Sequence, residues 1–255
     1  MLNYLTHGVK NSPPLMIIHG LYGSGRNWGV IAKRLSDKFF VITVDLRNHG
    51  DSPWFHTHSY HDMANDLVEV IISINIKPHI IGHSMGGKAA MVLALKHPDL
   101  VNKLLIADIS PVKYEHDQSQ FIEAMQKINL SKVEKRSDAT FALSEFIEDK
   151  SLQNFFTQSL DLKTKRWKLN LPILQSEMSK ILSFPKMDRK FLGDTLFFKG
   201  EKSEYIRPEH REIIKSLFIK AKFATLKNAG HWLHAEKPRE FESVARLFFA
   251  EKESL

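Results

Sequence analysis

The chain has no cysteine among its 255 residues. That absence removes disulfide frameworks, thiolate nucleophiles and cysteine-ligated zinc, and nothing in the chain depends on an oxidising compartment. No run approaches the roughly 20 apolar residues of a membrane span. The opening segment, MLNYLTHGVKNSPP, lacks the basic start and apolar core of a secretory leader. A protein without a membrane span, located in the cytoplasm, is therefore expected. No Gly-Lys-Ser/Thr follows the glycine-rich loop at Gly20, Gly23 and Gly25, whose spacing also misses the dinucleotide pattern. Internal repeats, low-complexity segments and nucleic-acid-binding motifs are missing too. The net charge of +7 is spread along the chain, which reads as solvated lysine and predicts no nucleic-acid partner.

What is present is enough apolar material, 43% of residues, for one large alpha/beta core with an insertion. Short apolar runs alternate with helical patterns: Leu15 to Ile18, Phe39 to Val44, His79 to Ile81 and Leu104 to Ala107, then Thr195 to Phe198 and Lys222 to Leu226. Buried parallel strands have this signature. An amphipathic run from Arg239 to Lys252 predicts a closing helix. Between about Val112 and Lys190 the periodicity is mostly helical, as at Phe121, Ile122, Met125, Ile128 and at Leu174, Met178, Ile181, Leu182. The expected organisation is a core of residues 1–111 and 191–255, with a helical lid over residues 112–190 inserted after the strand ending near Asp108.

The chemistry centres on Gly82-His83-Ser84-Met85-Gly86, which joins an apolar run to a helix-forming stretch. A serine hydroxyl needs an exposed position and a neighbouring base to act as a nucleophile. G-x-S-x-G supplies the exposure, because the strand-to-helix turn clashes unless its flanking positions lack side chains. Ser84 is thus the expected nucleophile. The Met85 amide, at the start of the next helix, is one expected oxyanion donor. A second, the Leu21 amide, belongs to the loop His19-Gly20-Leu21-Tyr22-Gly23-Ser24 after the first strand run.

Ligands of open alpha/beta sheets bind beyond the carboxyl ends of the strands, so the base should follow another strand. His231, in Ala229-Gly230-His231-Trp232, meets that requirement. His234 lies in what should be a first helical turn, with its ring turned elsewhere. His56, His58 and His61 carry no accompanying carboxylate pattern and read as a solvated loop. For the acid that orients the imidazole, Asp108 follows one strand, whereas Glu201 and Glu204 follow the Thr195 to Phe198 run. Asp108 is the stronger candidate because apolar residues flank it, while both glutamates have lysine neighbours. Asp45 lies too far from the histidine edge and is expected to brace Arg47 or Asn48.

Five stretches together, His19 to Ser24, Val44 to Pro53 with its Arg47-Asn48-His49-Gly50, Ile81 to Lys88, Ala107 to Val112 and Gly230 to Pro238, make the chain resemble the YbfF-type esterases of the alpha/beta-hydrolase superfamily. The resemblance implies a mostly parallel sheet flanked by helices and a Ser84, Asp108, His231 triad. It further implies that Leu21 and Met85 form the oxyanion hole and that Ser203 assists the histidine. Cleavage of short acyl esters, and of acyl-coenzyme A thioesters, is implied with it. The partner is then a small-molecule ester or thioester, and the enzyme a monomer or small homo-oligomer.

Two-step acyl transfer of this kind needs no metal or organic cofactor. Phe121, Met125, Phe141, Phe146, Phe155, Phe156 and Trp167 in the lid read as its own core, with an acyl pocket as the rival reading. The basic run Lys163 to Lys168 reads as a solvated face, with coenzyme A phosphates as the rival. Carbon-carbon bond hydrolysis or perhydrolysis on the same scaffold, and a non-catalytic ligand receptor, are the competing functions. Dehalogenase and epoxide hydrolase chemistry is disfavoured, since it uses an aspartate where this chain has Ser84.

Overall fold

Strand runs with no polar face must be covered on both sides, and the computed structural model, which describes residues 1–250, shows how this chain does so. β1 (Tyr4–His7), β2 (Pro14–Ile18), β3 (Phe40–Val44), β4 (His79–His83) and β5 (Leu104–Ala107) come from the first part of the chain. Two short strands, β6 (Leu160–Asp161) and β7 (Arg166–Trp167), lie in the insertion, and β8 (Phe191–Gly200) and β9 (Phe218–Leu226) follow it. Among the described residues the main sheet has seven strands, in the order β1-β3-β2-β4-β5-β8-β9. All neighbours are parallel except β1, which runs antiparallel to β3.

Alternation along each strand divides the core into two layers. Met16, Ile18, Ile42, Val44, Ile80 and Ile106 face one side, where α2 (Tyr60–Ser73) and α3 (Met85–Lys96) pack. Leu15, Ile17, Val41, Ile81 and Leu105 face the other, under α1 (Gly29–Leu35) and the closing helix. Because β3 lies on one side of β2 and β4 on the other, the loops leaving β2 and β4 part from each other and open a crevice at the carboxyl end of the sheet.

Between β5 and β8 come α4 (Ser119–Lys127), α5 (Arg136–Leu143), α6 (Lys150–Thr157), the β6/β7 pair, α7 (Leu171–Ser176) and α8 (Met178–Leu182). This insertion is tied across the crevice by main-chain bonds, Gly50 N to Lys168 O at 2.8 Å and Asn170 N to Asn48 O at 3.0 Å, and by Ser159 Oγ donating to Tyr22 O. The remaining helices are α9 (His210–Leu217), α10 (Leu233–Glu236) and α11 (Pro238–Phe249). The closing helix expected from Arg239 thus begins at Pro238, and Lys252 lies outside the described residues. Neither β1 nor the β6/β7 pair was expected. Both are edge or hairpin pieces of four residues or fewer, too short to show a period of their own.

Candidate active site

Ser84 sits at the turn between β4 and α3 with φ 52° and ψ −122°, a left-handed conformation that costs a non-glycine residue roughly 1–3 kcal/mol. The turn is crowded as the motif requires. A Cβ on Gly82 would lie 2.7 Å from Gly86 O, and one on Gly86 would run into His19 O. Positive φ recurs at Tyr22, Asn48 and Asp108, each just past a strand end around the same crevice, which is where such strain tends to concentrate.

His231 reaches Ser84 from the loop between β9 and α10, with Nε2 3.1 Å from Ser84 Oγ. Its Nδ1 lies 2.7 Å from Asp108 Oδ2. Asp108 is fully buried and its other oxygen accepts the Gly200 amide at 3.0 Å. Ser203 Oγ donates to Asp108 Oδ2, so this serine touches the carboxylate and not the imidazole. The two glutamates are occupied elsewhere. Glu201 accepts the Asn228 amide, and Glu204 pairs with Arg207 at 3.3 Å on the surface.

Leu21 and Met85 both border a small cavity beside Ser84, and neither amide has a hydrogen-bond partner among the described residues. The loop that carries Leu21 is held by the turn after β3. His49 Nε2 accepts the Tyr22 amide at 3.2 Å, and Asp45 accepts the Gly25 amide at 2.7 Å. His19 accepts the Leu46 amide through Nε2 at 3.0 Å. Burial pushes the His19 and His49 imidazoles below the ordinary histidine range, which keeps each ring neutral and able to accept.

Two expectations need correction here. Asp45 does not brace Arg47 or Asn48: besides Gly25 it binds Asn3 and Asp51. Arg47 instead makes a bidentate pair with Asp66 of α2, at 2.6 and 2.8 Å. That partner is 19 residues away and only the packing of α2 on the sheet brings it close. Nor do the three histidines share a solvated loop. His56 and His61 are exposed, but His58 is buried, 3.4 Å from Met85 Sδ and 3.3 Å from Asn48 Nδ2, and burial lowers it to about 3.

His234 stacks on Trp28, ring centroids 3.9 Å apart, and lines the chamber over Ser84, but its ring makes no hydrogen bond to Ser84 among the described residues. Two residues around the imidazole had no sequence signal. His83, the variable position of the pentapeptide, contacts His231 O through Nε2 at 2.9 Å. Tyr205 stacks on the His231 ring at 4.1 Å. His83 was visible only as a motif filler, and Tyr205 sits in a loop whose path depends on packing.

Above Ser84 lies a chamber of about 340 Å³. Phe121, Phe155 and Phe156 of the insertion line it together with His231 and Trp232. The other insertion aromatics divide differently: Trp167 is buried and donates through Nε1 to Met125 O, whereas Phe141 and Phe146 are exposed. In the basic run, Lys165 pairs with Glu134 and Lys168 with Asp51.

A profile described as the alpha/beta hydrolase fold matches residues 13–238. The chain is 37% identical to an sn-1-specific diacylglycerol lipase of Mus musculus, over 96% of this chain and 84% of that one. It is 34% identical to Esterase YbfF of Escherichia coli, over 89% of each. Among solved structures, an esterase of a marine microorganism superposes with a TM-score of 0.93 at 39% identity, over 97% of this chain and 99% of that one.

Proposed function

Because the chain belongs to the alpha/beta-hydrolase fold family, among the YbfF-type esterases, we propose that it is a serine carboxylesterase acting through Ser84, His231 and Asp108. The observation that carries this reading is the unbroken contact from Asp108 Oδ2 to His231 Nδ1 and from His231 Nε2 to Ser84 Oγ.

His231 takes the Ser84 proton as Oγ bonds to the ester carbonyl carbon, and the carbonyl oxygen becomes an oxyanion. The Leu21 and Met85 amides receive it, each worth on the order of 3 kcal/mol in the transition state. As the bond to the departing oxygen breaks, His231 returns its proton to that oxygen and the alcohol leaves. Water then attacks the acyl-serine, giving its proton to His231, and Ser84 regains a proton as the acid departs. Asp108 holds the imidazole in the tautomer that presents Nε2 to the serine.

On this reading the insertion of residues 112–190 acts as a lid whose phenylalanines face the substrate. The enzyme works in the cytoplasm as a monomer or small homo-oligomer, on small-molecule esters of short to medium acyl chains. We favour oxygen esters over acyl-coenzyme A thioesters, since Glu134 and Asp51 already neutralise two cations of the basic run. A fluorophosphonate probe and p-nitrophenyl acetate test the assignment together. The wild type should be labelled and active. Ser84→Ala should lose the label and cut kcat to below about one part in a thousand, with an unchanged melting transition. An unlabelled wild type, or an active alanine variant, would remove Ser84 from the mechanism.

A further inference from the structure

Among the described residues two cavities open on Ser84 and Leu21, one bordered also by His231 and the other by Met85. The chamber of about 340 Å³ is bordered by Leu21, His231, Trp232 and Phe155. A side cavity of about 30 Å³ shares Ser84, Leu21, His116, Gln118 and Tyr205 with it but adds Met85, Tyr60, Ile109 and Ile181 to its walls, and His231 is not among the residues that border it.

Reaction geometry sorts the two. In ester cleavage the departing oxygen must take its proton from the imidazole, so it lies within hydrogen-bond reach of His231 Nε2. The carbonyl oxygen lies toward the amides of Leu21 and Met85. The third substituent of the carbonyl carbon, the acyl chain, must then point away from His231, past Met85. Resting on the esterase reading, we propose that the side cavity is the acyl site and that the large chamber takes the alcohol. The enzyme therefore selects short acyl groups and tolerates bulky apolar alcohols.

Size agrees with that division. A single water needs roughly 10–15 Å³, so the side cavity of about 30 Å³ has room only for a small group, whereas the chamber of about 340 Å³ takes a much larger one. The walls of the side cavity are firm. Met85, Ile109 and Ile181 are buried, Tyr60 donates its hydroxyl to Ile181 O at 2.5 Å, and Lys88, which also lines the cavity, is held by donating through Nζ to Leu182 O and Ser183 O. The chamber has a mixed wall: Tyr22, Trp28 and Phe156 are buried, while Phe121 and Phe155 of the insertion are only partly buried.

The test compares kcat/KM over two series with the full-length enzyme: p-nitrophenyl esters from acetate to decanoate, and acetates of alcohols from ethanol to decanol. We expect a fall of at least about tenfold between butyrate and octanoate, the discrimination that a few methylenes allow in a closed pocket. Along the alcohol series the value should hold level or rise. Ile181→Ala should shift the acyl optimum toward longer chains and leave the alcohol profile unchanged, whereas Phe155→Ala should alter the alcohol profile alone. If Ile181→Ala does not fold, Ile109→Val is read the same way. A flat acyl series, or long acyl chains accepted with bulky alcohols refused, overturns the assignment while leaving the esterase intact. No turnover on any ester, with Ser84 unlabelled by fluorophosphonate, defeats the esterase reading itself.

Discussion

Asp108 meets His231 from the end of β5, across 123 residues of chain, with Oδ2 2.7 Å from Nδ1. The carboxylate arrives from the strand next to β4, and β8 steadies it with the Gly200 amide and with Phe198 O, which accepts the Asp108 main-chain N–H. Replacing Asp108 with asparagine keeps the shape and removes the charge that selects the imidazole tautomer. We expect kcat on p-nitrophenyl acetate to fall by roughly 10³ to 10⁴ with little change in KM. Steady-state kinetics decide it, and a variant within tenfold of wild type would return the acid role to Glu201 or Glu204.

His49→Phe tests the brace behind Leu21. The phenyl ring fills the space but cannot accept the Tyr22 amide now held at 3.2 Å. A buried donor is left unsatisfied, at about 1–3 kcal/mol, and the loop carrying the Leu21 amide loosens. We expect kcat to drop by about ten- to a hundredfold, since a displaced oxyanion donor acts on the transition state. Unchanged kcat with a lowered melting temperature would confine His49 to stability.

The Arg47 and Asp66 pair is buried on both sides and bidentate. Truncating one partner strands the other charge, so Asp66→Ala should cost about 3–5 kcal/mol in urea unfolding. The double variant Arg47→Met, Asp66→Leu should recover a large part of that loss. Equal destabilisation by the single and double variants would show that the ion pair itself, rather than the stranded charge, carries the energy.

Lys88 is 1% exposed, and burial pushes its ammonium down to about 7, although two carbonyls and the Tyr114 face oppose the shift. Between about 7 and the ordinary lysine value of about 10.4, the unfolded chain binds a proton that the folded protein has released. Stability contributed by this group therefore rises with pH through that window and is smallest below its lower edge. Chemical denaturation of wild type and Lys88→Met across the window should show wild type gaining on the variant as pH increases. Parallel pH curves would mean that the folded protein keeps the ammonium charged.

Much of the fold was legible because it depends on short-range pattern. The runs at Leu15 to Ile18 and Leu104 to Ala107 are apolar on both faces, which only a covered parallel strand explains. Strand ends were less legible: β8 and β9 extend several residues beyond the apolar runs expected there, to Phe191 and Phe218. Their early residues pair along the main chain, and an edge ladder tolerates the polar side chains of Asp194 and Lys220. The buried state of His58 was hidden for a related reason. A histidine among polar neighbours looks solvated until α2, the insertion and Met85 close over it.

By itself, the amino-acid sequence determined the elbow at Ser84, since only glycine fits at Gly82 and Gly86 in so tight a turn, and it determined which loops follow strands and so gather at one end of the sheet. Tertiary structure alone decided which carboxylate reaches His231, that Arg47 answers Asp66, that Tyr205 stacks on the imidazole, and how the space over Ser84 divides into a large chamber and a small side cavity. Such relations join residues far apart in the chain, 147 positions for Ser84 and His231 and 92 for Asp108 and Gly200, or helices to the sheet they cover. Local sequence pattern sets the conformation of each segment, but distances between segments are set by how their buried faces pack.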